Sequence, residues 1–133
     1  MPVSYEIRAQ DGLVIARYTG EVTVAQVMSC FRAFRADPGF SYGLTHLVDV
    51  AQVHSAEAGF AEIFALFSTY SRTYAAAGQV MRVAIYSPGD FAYGLARIFE
   101  NLSETSDVVD TGVFQSFDQA LDWARPPRSV NVE

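Results

Sequence analysis

Three side chains with acid and base chemistry cluster after the most apolar stretch of the chain. Asp49 ends the run Leu-Val-Asp, and His54 and Glu57 follow it closely. Carboxylates and an imidazole can act as general acid and base, so one alternative is a small enzyme that uses these three residues. The other alternative is structural, with Asp49 bonding its own loop. Neither a nucleophile pattern nor a third metal ligand accompanies His46 and His54, so we predict no metal site and no cofactor.

The types of basic residue in the chain exclude several kinds of catalytic and binding chemistry. All nine are arginine, and lysine is absent. A Schiff base, a phosphate-loop lysine and a lysine general base therefore lack the amine they need, apart from the N-terminus. The single cysteine, Cys30, excludes an internal disulfide and a multi-cysteine metal site. We expect Cys30 to be a small buried hydrophobe near the apolar face of a helix.

Composition predicts one soluble domain. The 133 residues are 50% hydrophobic and 14% aromatic, which suits one packed core over residues 1–133 with an ordered part at about 3–124. No uninterrupted apolar run approaches the roughly 20 residues of a membrane helix, so membrane contact should be peripheral at most. The net charge of -6 argues against nucleic acid, whose phosphates need a basic face. Without a signal-peptide pattern, we expect a cytoplasmic location.

The first half of the chain predicts a hairpin, a helix and a central strand. Residues 3–8 and 13–18 are strand-like around an Asp11-Gly12 turn. Thr23 and Gln26 form a capping-box pattern, which starts a helix at Val24. Asp37-Pro38-Gly39 ends that helix. Residues 44–50 then form a buried strand.

A long aromatic helix follows the central strand. Ser55 is the expected N-cap, Glu57 lies in the first turn, and the helix runs to about Ala77 before a left-handed Gly78. Leu66 lies off its apolar stripe. The stripe consists of Phe60, Ile63, Phe64, Phe67, Tyr70, Ser71 and Tyr74.

The last third repeats the strand-helix pattern twice. Residues 81–86 form a strand, and Ser87 caps a helix with Pro88 at its first position. Its expected buried face is Phe91, Leu95, Ile98, Phe99 and Leu102. Gly94 costs this helix about 1 kcal/mol relative to alanine, which close packing or a bound molecule should offset. Residues 108–114 form the last strand, Ser116 and Gln119 cap a short helix, and Arg125-Pro126-Pro127 ends it.

The predicted order is ββαβαβαβα. Strands joined through helices are parallel, so we predict an α/β fold with a single mixed, mostly parallel sheet covered by helices. The loops before the helices then collect at the carboxyl edge of the sheet, where backbone N–H groups and polar side chains form sites in open α/β folds.

This order is similar to the SpoIIAA-like or STAS-like superfamily, which includes relatives of the CRAL/TRIO lipid-binding domains. The likeness rests on Val-Asp-Val-Ala-Gln-Val before a helix and Ala-Tyr-Gly-Leu-Ala-Arg-Ile-Phe-Glu-Asn-Leu within the third helix. Anti-sigma-factor antagonists of this group carry Asp-Ser-Ser-Gly with a phosphorylated serine. Here Glu57-Ala58-Gly59 stands at that place without a hydroxyl, and Ser55 lies outside the motif. The chain more closely resembles the stand-alone bacterial branch, for which apolar or lipid-like ligands are suggested.

We therefore predict a non-catalytic, regulatory binding module. Its expected partners are a small apolar or lipid-like molecule, a protein, or a second copy in a homodimer. The small enzyme stays the alternative. The residues predicted to bind the ligand are Asp49, Ser55, Glu57, Phe60, Phe64, Tyr86, Tyr93 and Arg97.

Overall fold

A computed structural model describes residues 2–57 and 59–125, apart from the side chain of Glu57. The element order is the predicted ββαβαβαβα. The strands are β1 (Val3–Arg8), β2 (Leu13–Thr23), β3 (Thr45–Glu57), β4 (Met81–Tyr86) and β5 (Val109–Phe114). The helices are α1 (Val24–Ala36), α2 (Phe60–Ala76), α3 (Asp90–Ser103) and α4 (Phe117–Ala124). Pro126 and Pro127, the predicted terminators, lie outside the described residues.

The strands lie in the sheet in the order in which they occur along the chain. β1 pairs with β2 in antiparallel orientation, and β2 to β5 are parallel. Each crossover moves one strand in the same direction, so right-handed connections place α1, α2 and α3 on one face. No strand follows α4, and this helix covers the opposite face, against β3, β4 and β5. The prediction of a mixed, mostly parallel sheet is confirmed.

Alternation along β4 shows how the two faces are packed. Met81, Val83 and Ile85 belong to the large core beneath α1, α2 and α3. Ala84 and Tyr86 belong to a smaller core beneath α4. Successive strand residues point to opposite faces, so one strand serves both cores.

Small residues and one arginine hold α4 on the sheet. Ala84, Ala120 and Ala124 are fully buried, which lets the helix approach the strands closely. The Arg82 guanidinium donates to the Trp123 carbonyl (2.7 Å) and lies 3.8 Å from the Trp123 ring centroid. Stacking of a cation on an indole adds a modest stabilisation to this contact.

The capping signals at Thr23 and Ser116 are confirmed. The Thr23 hydroxyl accepts from the Gln26 N–H (3.2 Å), and the Gln26 side chain accepts from the Thr23 N–H (2.9 Å), so α1 begins at Val24 as predicted. Gly12 and Gly78 take left-handed conformations with φ of 69° and 67°. In the hairpin a single 3-10 turn at Ala9–Asp11 precedes Gly12, so positive φ is confined to that glycine.

The end of β3 differs from the prediction. The strand continues beyond Val50 through Glu57, and α2 begins only at Phe60, so Ser55 is not a helix cap and Glu57 is not in the first helical turn. The reason is pairing. β2 also runs on to Thr23, and its end pairs with the end of β3, with Glu21 opposite Ser55. The backbone of Ser55 therefore belongs to a strand ladder.

Two helix starts are also corrected. α2 is preceded by Gly59, whose N–H donates to the Glu62 carboxylate (2.6 Å). α3 begins at Asp90 after Gly89, so Pro88 is not helical. Ser87 extends the β4 ladder instead, because its N–H donates to the Phe114 carbonyl (2.8 Å).

The residues that α2 and α3 bury differ from those predicted. On α2 Phe60 and Phe64 are exposed and Leu66 is buried. The helix buries Ile63, Leu66, Phe67, Tyr70 and Tyr74, so the face that packs on the core is rotated toward Leu66. On α3 Phe91 is exposed. The residues that this helix buries are Ala92, Ala96, Phe99 and Ser103. The prediction placed bulky residues on the buried face of α3, whereas the small residues on this face let the helix lie close to the sheet.

Gly94 does not have the close packing on the sheet that was one of the two compensations expected for it. It is exposed, and a Cβ built on it meets no atom within 4 Å. The glycine therefore weakens α3 without a packing reason.

Candidate functional site

An apolar cavity of about 150 Å³ lies between the sheet and the three-helix layer. Side chains of β2, β3 and β4 form its floor, and those of α1, α2 and α3 form its roof. Its lining residues include Val14, Ala16, Tyr18, Val27, Cys30, Phe31, Phe34, His46, Val53, Ala56, Ile63, Leu66, Tyr70, Met81, Val83, Ala92, Leu95, Ala96 and Phe99.

The cavity runs from the core to the carboxyl edge of the sheet. Phe34, His46 and Met81 line its deep part and are buried. Ala56, near the end of β3, and Leu95, in the first half of α3, also line the cavity and are only half-buried. The space therefore extends to the edge at which the sequence placed a site.

Small side chains create this space. Ala16 on β2, Cys30 on α1, Ala56 on β3, and Ala92 and Ala96 on α3 all border the cavity. The aromatic rings around them are fixed by edge-to-face contacts, as between Phe31 and Tyr70, whose centroids lie 4.7 Å apart. A rigid aromatic frame with small residues between its members leaves unfilled volume.

The cavity is electrically neutral. In the part of the chain that the structure describes, no arginine and no carboxylate lines it. Burial raises the pKa of the Tyr18 and Tyr70 hydroxyls and of the Cys30 thiol, so all three stay protonated near pH 7. The prediction that Cys30 lies near an apolar face is confirmed, although it is half-buried.

His46 lines the deep part of the cavity and is also uncharged. Its Nε2 lies 3.1 Å from the Tyr74 hydroxyl, and its ring packs against Phe31 and Phe34. Burial lowers the pKa of His46 from 6.5 to about 4, because the imidazolium would lose its hydration there. This environment supports the structural interpretation of His46.

Asp49 and Tyr86 lie away from the cavity. They are opposite each other on β3 and β4, and Tyr86 packs on Phe117 of α4, on the other face of the sheet. The Asp49 carboxylate accepts from the Ala51 N–H (2.9 Å), where the register of β3 shifts against β2. The carboxylate thus bonds its own chain, as the structural alternative stated.

Ser55, Phe60 and Phe64 lie at the carboxyl edge. Ser55 is on the extension of β3, as is the backbone of Glu57. Phe60 and Phe64 are 61% and 48% exposed, and their rings stack on each other with centroids 6.0 Å apart. They form an aromatic pair on the surface of α2.

Tyr93 and Arg97 lie on α3. Tyr93 is half-buried, and Arg97 is exposed and pairs with Glu100 (3.2 Å) one turn later. Of the eight residues predicted to bind ligand, the seven with described side chains are all absent from the cavity lining. Their role in binding stays a prediction.

Two residues of the enzyme alternative, Asp49 and the exposed His54, are not joined by a hydrogen bond within residues 2–57 and 59–125. The same ranges hold no group of three histidine, cysteine or acidic residues that could bind a metal. They also contain no helix with the length and apolarity needed to cross a membrane.

Sequence reasoning missed the floor of the cavity. Val14, Ala16 and Tyr18 alternate on β2 and point to the same face, and the alternation itself was visible. It shows that a face is buried, but it does not show that Ala16 lies opposite other small residues. Tyr70 was placed on the apolar stripe of α2 but not among the residues predicted to bind the ligand, although it lines the cavity.

Comparison with known proteins places the fold. No family model matches the sequence, and no curated protein shows significant similarity to it. A solved structure of an uncharacterized protein of the DUF3478 family from Shewanella loihica PV-4, with a SpoIIAA-like fold, is similar over 92% of this chain and 91% of its own. The TM-score is 0.57 and the sequence identity is 15%, a level at which the likeness concerns the fold alone. As its sequence resemblance predicted, the chain has a SpoIIAA-like fold.

Proposed function

We propose that this protein is a non-catalytic module that binds a small apolar molecule between the sheet and the three-helix layer. The observation that carries the proposal is the cavity of about 150 Å³. Protein interiors are packed as densely as organic crystals, and voids larger than a water molecule are few. A cavity lined by aromatic and aliphatic side chains is a site for an apolar ligand.

The size of the cavity limits the ligand. Typical pockets for drug-sized molecules measure roughly 300 to 1,000 Å³, and an apolar cavity of roughly 150 Å³ suffices for benzene. The 150 Å³ found here therefore favours a compact, single-ring molecule over a complete long acyl chain. A lipid-like ligand would place only part of its chain inside.

Benzene titration tests the proposal. We expect saturable chemical-shift changes in NMR spectra for residues around the cavity, and a rise in melting temperature with benzene concentration. Ala96→Leu should fill the space, because Ala96 is buried and lines the cavity. This variant should lose benzene binding and melt at a higher temperature than the unmodified protein.

The matched control is Ala75→Leu, which adds the same atoms to an exposed position on α2. It should bind benzene as the unmodified protein does. Absence of saturable binding to the unmodified protein, or undiminished binding by a folded Ala96→Leu variant, would refute the proposal. Native mass spectrometry of protein from its host tests whether a natural ligand copurifies.

A protein partner is the second candidate. The stacked rings of Phe60 and Phe64 on α2 present aromatic surface to solvent, and so does Phe91 on α3, which is 51% exposed. Exposed apolar patches are typical of protein contacts, including homodimers. Sedimentation velocity should then show self-association that Phe60→Gln with Phe64→Gln reduces; a monomer at all concentrations would remove the homodimer.

A further inference from the structure

The polar groups inside the cavity are few, and most already have partners. The Tyr5 hydroxyl donates to the Asp37 carboxylate (2.7 Å). The Thr23 hydroxyl accepts from the backbone of α1, and His46 bonds to the Tyr74 hydroxyl. These groups stabilise the protein itself and have little capacity left for a ligand.

The hydroxyl groups of Tyr18 and Tyr70 differ from these. Both side chains line the cavity, one from the floor on β2 and one from the roof on α2. Cys30 lines the same cavity from α1. Among residues 2–57 and 59–125, no hydrogen bond joins either hydroxyl to a different group.

Two tyrosine hydroxyls carry two donors and several acceptor lone pairs. Interaction within the Tyr18 and Tyr70 pair uses one donor at most. At least one O–H donor of this pair is therefore left for a ligand in a lining that is otherwise mostly apolar. A buried hydroxyl without a full set of partners is stabilised by any ligand group that supplies one.

We propose that the ligand is a neutral, single-ring molecule with one hydroxyl group, of the phenol class, and that its hydroxyl bonds to Tyr18 and Tyr70. This inference rests on the proposed function and names the ligand class for the same cavity. The rest of the ligand contacts aliphatic and aromatic side chains such as Val83 and Phe99.

The lining also excludes an ionised ligand. A buried carboxylate needs a cation or several donors, and burial without them is strongly unfavourable. Among the residues that the structure describes, no arginine lines the cavity, and burial keeps His46 neutral by lowering its pKa. Benzoate, a carboxylate at pH 7, should therefore not bind.

The experiment compares benzene and phenol as probes. Dissociation constants of both are measured by NMR titration for the unmodified protein, Tyr18→Phe and Tyr70→Phe. For each protein, the dissociation constant of benzene is divided by that of phenol. The free ligands are hydrated equally whichever protein is present, so a difference in this ratio between two proteins reports the contact of the phenol hydroxyl. Loss of one hydrogen bond should lower this ratio about threefold to tenfold in either variant.

Tyr42→Phe is the matched control. It removes a tyrosine hydroxyl that bonds to Arg35 (3.2 Å) outside the cavity lining, and it should leave the ratio unchanged. If one cavity variant does not fold, the other carries the test.

The outcomes separate this inference from the function on which it rests. Failure of benzene to bind the unmodified protein overturns both. Benzene binding with a ratio that stays constant in every folded cavity variant overturns the phenol inference alone, as does benzoate binding as tight as that of phenol.

Discussion

The buried His46 makes a specific prediction about acid stability. Its folded-state pKa is about 4, against 6.5 for the unperturbed side chain. Because the folded value is the lower one, the folded protein binds this proton less tightly than the unfolded chain does. The stabilising contribution is complete above pH 6.5, declines as the pH falls below 6.5, and is lost at about pH 4.

The magnitude follows from the two pKa values. A tenfold change in a protonation equilibrium is worth about 1.4 kcal/mol, so the interval from 6.5 to about 4 corresponds to roughly 3 kcal/mol of unfolding free energy. This is a large part of the 5 to 15 kcal/mol, roughly, that a domain has in total. Protonation of one side chain should therefore weaken the protein measurably at mildly acidic pH.

His46→Gln is the variant that tests this. A glutamine amide does not titrate and can keep a hydrogen bond to the Tyr74 hydroxyl. Urea unfolding is measured from about pH 7 to about pH 4.5. Whatever its stability at pH 7, the variant should lose less stability on acidification than the unmodified protein, by up to roughly 3 kcal/mol.

His54→Gln is the control, because His54 is exposed. Its pH profile should run parallel to that of the unmodified protein. Glu6 and Asp37, whose pKa values are lowered by Arg8 and by the Gly39 N–H respectively, also favour folding above acidic pH, but they are present in all three proteins and cancel in the comparison. Parallel profiles for the unmodified protein and His46→Gln would refute the assignment of a buried, neutral imidazole.

Three further predictions concern single substitutions, and urea or thermal unfolding checks each. Gly94→Ala should raise stability by about 0.5 to 1 kcal/mol, because the position is helical and open; a loss would show a hidden contact. Thr23→Ala should lower it by about 1 kcal/mol, because the cap of α1 is lost; an unchanged value would deny the capping box a role. Gly112→Ala should lower stability, because its Cβ would lie 2.8 Å from the Phe114 ring; a neutral result would show that this ring moves freely.

Features of the fold that are set by residues close together in the sequence could be predicted. The capping box at Thr23 and the left-handed Gly78 were correct because their hydrogen bonds and dihedral angles are set within one turn of chain. The parallel order followed from the alternation of elements. The extension of β3 to Glu57 could not be predicted in this way, because it depends on pairing with β2, and Ser55 looked equally suitable as a cap.

The candidate site was predicted less well than the fold. The carboxyl edge and the aromatic helices α2 and α3 were identified, but the chosen residues were polar loop residues and bulky aromatics. Exposure of Phe60 and Phe64 depends on how α2 is rotated against the sheet, and the spacing of apolar residues along a helix does not define that rotation closely. The cavity is bordered instead by residues that each have an ordinary structural explanation.

The cavity is a property of several elements together. Ala16, Cys30, Ala56 and Ala96 come from β2, α1, β3 and α3, and each alone is a common core residue. An empty cavity costs up to roughly 24 cal/mol per Å³, so 150 Å³ corresponds to at most about 4 kcal/mol relative to a filled core. A ligand at about 1,000 times its dissociation constant stabilises the folded state by about the same amount. Occupancy by a compact ligand would thus offset the cost of the missing side-chain volume, and ligand-free protein should melt at a lower temperature than protein isolated with its ligand.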